Sequence, residues 1–112
     1  MSFVSLFRAA LLALAVTTTL SAAPTGQENF QKHCVRCHGA DGKSQTRLGK
    51  KSGAKDLSDK AGQAKLTDED AFKGIKFGRK NSKGVEKMDA FGDDLSDPEI
   101  TALVAYVRTL AM

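Results

Sequence analysis

The sequence predicts a small all-α domain of three main helices with long loops between them, over residues 24–112, behind an export leader at residues 1–23. Three observations predict it. Three segments carry a helix N-capping residue followed by apolar positions at helical spacing. No stretch alternates β-branched and polar residues as a half-buried strand does. The chain has 112 residues, two Pro and no Trp, enough for one domain at most.

Residues 1–23 place one positive charge, Arg8, before an apolar run from Ala9 to Val16, then polar Thr17, Thr18 and Thr19, then the small residues Ser21, Ala22 and Ala23. That is the layout of a secretory signal peptide, with cleavage expected within a few residues of Ala23. The apolar run is far short of the roughly 18–20 residues that a membrane-spanning helix needs, so no membrane anchor is expected after processing. Removing the leader costs only Arg8 among the charged residues, and the remaining domain stays net positive.

In the domain, Thr25 and Glu28 have capping-box spacing, which starts a first helix that runs to about Arg36. Thr67 caps a second, with Asp68, Glu69 and Asp70 in its first turn, Ala71, Phe72 and Ile75 on its apolar face, and an end near Gly78. The third has Ser96 as N-cap, Pro98 in the first turn and Glu99 at the capping-box position. Ile100, Leu103, Val104, Val107 and Leu110 then follow a 3.6-residue period to the terminus. Residues 39–65 and 78–95 are rich in Gly and Lys, read as loops, and show no repeat. Loops of that length in a small domain usually wrap something functional.

The apolar content supports that reading. Residues 24–112 hold 30 hydrophobic residues, and only 19 of them are larger than Ala and Cys. Domains this small commonly complete their core with a disulfide, a metal, a cofactor or a partner.

Cys34-Val35-Arg36-Cys37-His38 is C-x-x-C-H, the attachment signature of c-type haem. Two cysteines three apart on one helical turn face the same side, so both sulfurs can add to the vinyl groups along one porphyrin edge. His38 follows directly and is thereby held beneath the iron as its proximal ligand. Other readings fit less well. A Cys34–Cys37 disulfide closes too short a loop to supply a core. Zinc needs four tetrahedral ligands, and His33, Cys34, Cys37 and His38 are crowded together with no second pair downstream. A thioredoxin-like dithiol expects a βαβ pattern that is absent. For the other face of the iron, His33 lies on the same helix as Cys34 and cannot reach across. Met88 is the only internal methionine of residues 24–112 and sits in a polar loop rather than on a periodic apolar face, which makes it the candidate sixth ligand.

These features resemble the small class I c-type cytochromes of bacterial periplasms over nearly all of residues 26–112. Gly26 and Phe30 look like the family's N-terminal helix, and Leu103-Val104-Ala105-Tyr106 looks like its C-terminal helix. The stretches Cys37 to Lys43 and Met88 to Ser96 are similar to its haem-attachment and methionine loops. The resemblance implies that the two terminal helices cross at Gly26, that one haem c is held with His38 and Met88 as axial ligands, and that the protein carries electrons. The chain departs from the family in having Asp89 after Met88 and no Pro between Pro24 and Pro98. No proline carbonyl is therefore available to orient His38.

An iron with both axial positions filled exchanges electrons and binds no substrate, so the expected protein is a monomeric periplasmic electron carrier and not an enzyme. The alternatives are a small haem peroxidase or gas-binding protein, should Met88 dissociate, or the haem subunit of a periplasmic dehydrogenase. Lys43, Arg47, Lys50, Lys51 and Lys55 follow the haem motif, and Lys73, Lys76, Arg79, Lys80, Lys83 and Lys87 precede Met88. Such a surface suits transient docking to acidic redox proteins or membrane oxidoreductases. Nucleic acid is not expected, since no aromatic residues interleave the basic ones. Phe30, Phe72, Ile75, Phe91, Leu103 and Tyr106 are expected around the haem and the helix crossing.

Overall fold

The computed structural model describes residues 12–18 and 22–112. Most of the expected leader lies outside the described residues; positions 12–18 are exposed and have no regular structure. Among the described residues no helix is long and apolar enough to cross a membrane.

The three expected helices form where their caps place them. Thr25 caps α1 (Gly26–His33), its hydroxyl accepting from the Glu28 N–H. The reciprocal half of the expected box is absent, and the Thr25 hydroxyl instead lies 3.3 Å from the Glu28 carboxylate. The helix breaks at Cys34 and resumes as a single turn, α2 (Val35–His38), so the first helix is two pieces rather than one. Thr67 caps α5 (Asp68–Phe77), which ends at Gly78. Ser96 and Glu99 form a complete capping box on α6 (Asp97–Thr109), with Pro98 in the first turn.

The loops hold more structure than the sequence suggested. Within residues 39–65, α3 (Arg47–Ser52) starts at Thr46 and stops at Gly53, and α4 (Lys60–Lys65) starts at Asp59. Within residues 78–95, β1 (Arg79–Lys80) pairs antiparallel with β2 (Glu86–Met88) across a register irregularity, which corrects the reading of no strands. Strands of two and three residues are too short to show a period of two. Their signal was turn chemistry: the Asn81 side chain accepts from the backbone of Lys83 and Val85, and Gly84 takes a positive φ of 76°.

The core sits where α1 and α5 meet α6. Phe30, Ile100 and Leu103 are essentially fully buried and are joined by Ile75, Leu95 and Val107. Each such side chain contributes about 1.5–3 kcal/mol on leaving water. α1 and α6 approach at Gly26, where any Cβ would run into the carbonyl of Ala102. One turn on, Phe30 and Tyr106 stack with ring centroids 5.2 Å apart and planes tilted by 53°. Asn29, also buried, donates to Glu99 across the crossing at 3.0 Å. At the other end of α6, Gln63 donates to the carbonyls of Leu57 and Val107 at 2.6 and 2.7 Å, and Arg108 bonds Asp68 at 2.9 Å. These contacts join α1, α4 and α5 to α6, and a cavity lies among α1, α5, α6, α2, α3 and the β1–β2 hairpin.

Candidate haem site

The cavity has a volume of about 660 Å³, within the range of small-molecule and cofactor sites. Cys34, Cys37 and His38 line it from the α1–α2 junction and α2, and Met88 lines it from the end of β2. The structure thus brings together all four candidate residues from positions 54 apart in sequence. Phe30, Ile75, Phe91 and Leu103 supply apolar wall, as expected. Phe72 and Tyr106 do not line the cavity: Tyr106 acts one layer back through Phe30, and Phe72 packs against the core beneath the Lys76 ammonium.

Local geometry explains how each donor is placed. The break at Cys34 keeps its amide bonded to the Phe30 carbonyl while the His38 amide bonds the Cys34 carbonyl, both at 2.9 Å. The chain then turns at Gly39, φ 75°. The Thr46 hydroxyl donates to the Cys37 carbonyl at 2.7 Å, and Gly49 lets α3 press on that same carbonyl, where a Cβ would not fit. On the other side, the Phe91 and Gly92 amides donate to the carbonyls of Ile75 and Lys76 at 2.9 and 3.0 Å. Those bonds fasten the segment after Met88 to α5, the stiffening that a proline at position 89 would otherwise give.

Burial dominates the ionisation of Cys34 and His38. Burial, with a smaller contribution from Cys37, pushes the Cys34 thiol up to about 12, and both cysteines are unbridged. Burial also lowers the pKa of His38, opposed by its bond to the Lys55 carbonyl, so the ring is held neutral as a metal ligand must be. His38 Nδ1 lies 3.1 Å from that carbonyl. Here is the orienting partner that no proline could supply. Among the described residues no group of three or more His, Cys, Asp and Glu is placed to hold a bare metal ion.

A family model described as "Cytochrome C oxidase, cbb3-type, subunit III" matches residues 21–107. The chain belongs to the c-type cytochromes. A solved structure titled "KustC0563 c-type cytochrome" is 34% identical with a TM-score of 0.69, covering 80% of this chain and 100% of that one. A structure of a tyrosine-to-phenylalanine mutant of that protein gives 36% identity and a TM-score of 0.66, covering 78% and 99%. The search of curated proteins returned no match. Membership means that this cytochrome carries covalently attached haem c with its iron, and the cavity fits that group: two thiols, a neutral imidazole, a thioether and apolar walls meet in it.

Six basic side chains reach the cavity of this cytochrome: Lys32, Arg36, Lys51, Lys55, Arg79 and Lys87. Only Glu86 and Asp89 oppose them there. Lys32 and Arg36 were missed in sequence, although their placement beside the cysteines on α1 and α2 was the available signal. Lys73 and Lys76, members of the second basic cluster, do not line the cavity and are paired with Glu69 and Asp97 at 2.8 and 2.9 Å.

Proposed function

We propose that this cytochrome is a periplasmic, one-electron, outer-sphere carrier, with thioether bonds at Cys34 and Cys37 and axial ligation by His38 and Met88. The observation that carries the reading is the meeting of these four side chains in one apolar-walled cavity. When bound, haem c supplies an iron that cycles between two oxidation states. The chain does the rest. Cys34 and Cys37 tether, His38 offers Nε2 while Nδ1 faces the Lys55 carbonyl, and the Met88 sulfur favours the reduced state over a second nitrogen ligand. Phe30, Ile75, Phe91 and Leu103 exclude water, which limits the reorganisation that electron transfer requires. With His38 and Met88 both holding the iron, no position on it would be left for a substrate.

The basic side chains around the cavity support transient docking to acidic redox proteins, through electrostatic steering rather than a large buried area. The leader at residues 1–23 supports export to the periplasm. One second reading has an observation in its favour. The matching family model is described by an oxidase subunit, which supports a domain held in a larger complex instead of a free shuttle.

Haem staining after denaturing electrophoresis tests the assignment of the tethers. The exported wild type keeps its stain, and the Cys34→Ala/Cys37→Ala double variant loses it. Peroxide turnover by the wild type would overturn the carrier reading in favour of a peroxidase. Sizing from the native periplasm separates the other two: elution as a small monomer fits a shuttle, and stable co-migration with a larger oxidoreductase fits a subunit.

A further inference from the structure

Ser44 is the one non-glycine residue with a positive φ, 57°, among the described residues. It is buried, does not line the cavity, and lies directly behind His38. Glycine would adopt that backbone without strain, so a serine held there calls for a side-chain role. Its amide donates to the His38 carbonyl at 2.8 Å, which fixes Ser44 to the turn that follows the histidine. Its hydroxyl donates to the Lys55 carbonyl in a close contact. That same carbonyl is 3.1 Å from His38 Nδ1, and the Ser44 oxygen is 3.2 Å from it.

We propose that Ser44 is a positioning residue that sets the electron donation of His38 by sharing the Lys55 carbonyl with it. The proposal rests on His38 being an axial ligand. Coordination through Nε2 leaves the proton on Nδ1, and that N–H then divides between two acceptors at distances longer than the usual 2.9–3.0 Å. The hydroxyl donates to the same carbonyl and so leaves the imidazole only a share of it. A weakly held Nδ1 proton keeps the ring less anionic and a poorer donor, which favours the reduced iron. Outer hydrogen bonds of this kind raise the basicity of a ligating histidine as they strengthen.

Removing the hydroxyl frees the carbonyl for one undivided bond from Nδ1–H. Ser44→Gly does so while relieving the backbone strain, and Ser44→Ala does so while retaining it. Both holoproteins are expected to show a lower reduction potential than wild type, and the Nδ1 proton resonance of the reduced protein moves downfield. Stability separates the variants, with Ser44→Gly at or above Ser44→Ala, whereas the two potentials shift together. A merely structural serine would move stability and leave the potential in place, so an unchanged or raised potential in Ser44→Gly overturns the proposal. Hyperfine-shifted imidazole resonances in the oxidised wild type report His38 ligation independently. Their absence would remove the ligation reading and this proposal with it, while their presence beside an unmoved potential removes the Ser44 role alone.

Discussion

Substituting Gly26 by Ala puts a methyl group into the contact between α1 and α6. Built on the present backbone, the new Cβ lies 2.9 Å from the carbonyl carbon of Ala102, 3.1 Å from Tyr106 Cβ, and closer still to the Ala102 oxygen. Carbon contacts are comfortable at about 3.5–4.0 Å, so the helices must part by on the order of 1 Å. That separation loosens the Phe30–Tyr106 stack and stretches the 3.0 Å bond from Asn29 to Glu99. Overpacking of this kind costs about 1–3 kcal/mol. Ala gains up to about 1 kcal/mol over Gly in helix propensity, which offsets part of a mid-range cost of about 2 kcal/mol. The net of about 1 kcal/mol lowers Tm by roughly 4–8 °C for a domain of this size. Thermal unfolding of the holoprotein followed by circular dichroism measures the difference. Gly84→Ala is the control, since nothing lies within 4 Å of its Cβ and only the positive φ of 76° is strained. A Gly26→Ala protein as stable as wild type would refute close packing at the crossing.

Three further outcomes follow from other parts of the structure. The Glu99 carboxyl is held below the usual carboxylate range first by the Asn29 side chain and then by Ser96, so its contribution is present above about pH 4 and is lost as pH falls through the depressed native value; Glu99→Gln should flatten the acid limb of the stability profile, and an unchanged limb would count against the link. Preventing haem attachment leaves the cavity of about 660 Å³ without the group that would cover Phe30, Ile75, Phe91 and Leu103, in a domain too small to bury a large core of its own. The haem-free chain should therefore lose near-ultraviolet dichroism and bind a hydrophobic dye, and a well-packed form would contradict this. Lys51→Glu/Lys87→Glu should slow the bimolecular rate with an acidic redox protein and flatten its salt dependence, with stability changed by no more than about 0.5 kcal/mol; stopped-flow kinetics over a salt series reads both, and an unaltered salt slope would exclude the basic rim from docking.

The legible parts of the fold are those with local chemistry. Thr25, Thr67 and Ser96 each mark a helix start because an N-cap is satisfied within three residues. The same signal was present at Thr46, with Gly53 to close the helix, and at Asp59, but six-residue helices carry too little apolar period to stand out from a loop. The site divides in the same way. Cys34, Cys37 and His38 form one contiguous motif, and Met88 could be reached by elimination because so few methionines compete. The Lys55 carbonyl could not be read, since it is a backbone atom 17 positions from His38 and any residue type would supply it. Ser44 was hidden for a related reason: its role depends on a left-handed backbone and on a fold-dependent meeting of three polar atoms. Cavity-facing charges were only partly legible: Lys51, Lys55, Arg79 and Lys87 lie in the two basic clusters the sequence offered, whereas Lys32 and Arg36 flank the cysteines outside them.

The claim on which the account turns is that Met88 and His38 hold the same iron. The near-infrared absorption of the oxidised holoprotein measures it most directly, because a methionine sulfur on ferric haem produces a sulfur-to-iron charge-transfer band there. The account predicts that band in the wild type, and in Met88→Ala its loss together with new binding of an external ligand such as imidazole. A wild type without the band, or a Met88→Ala protein that retains it, would contradict the account.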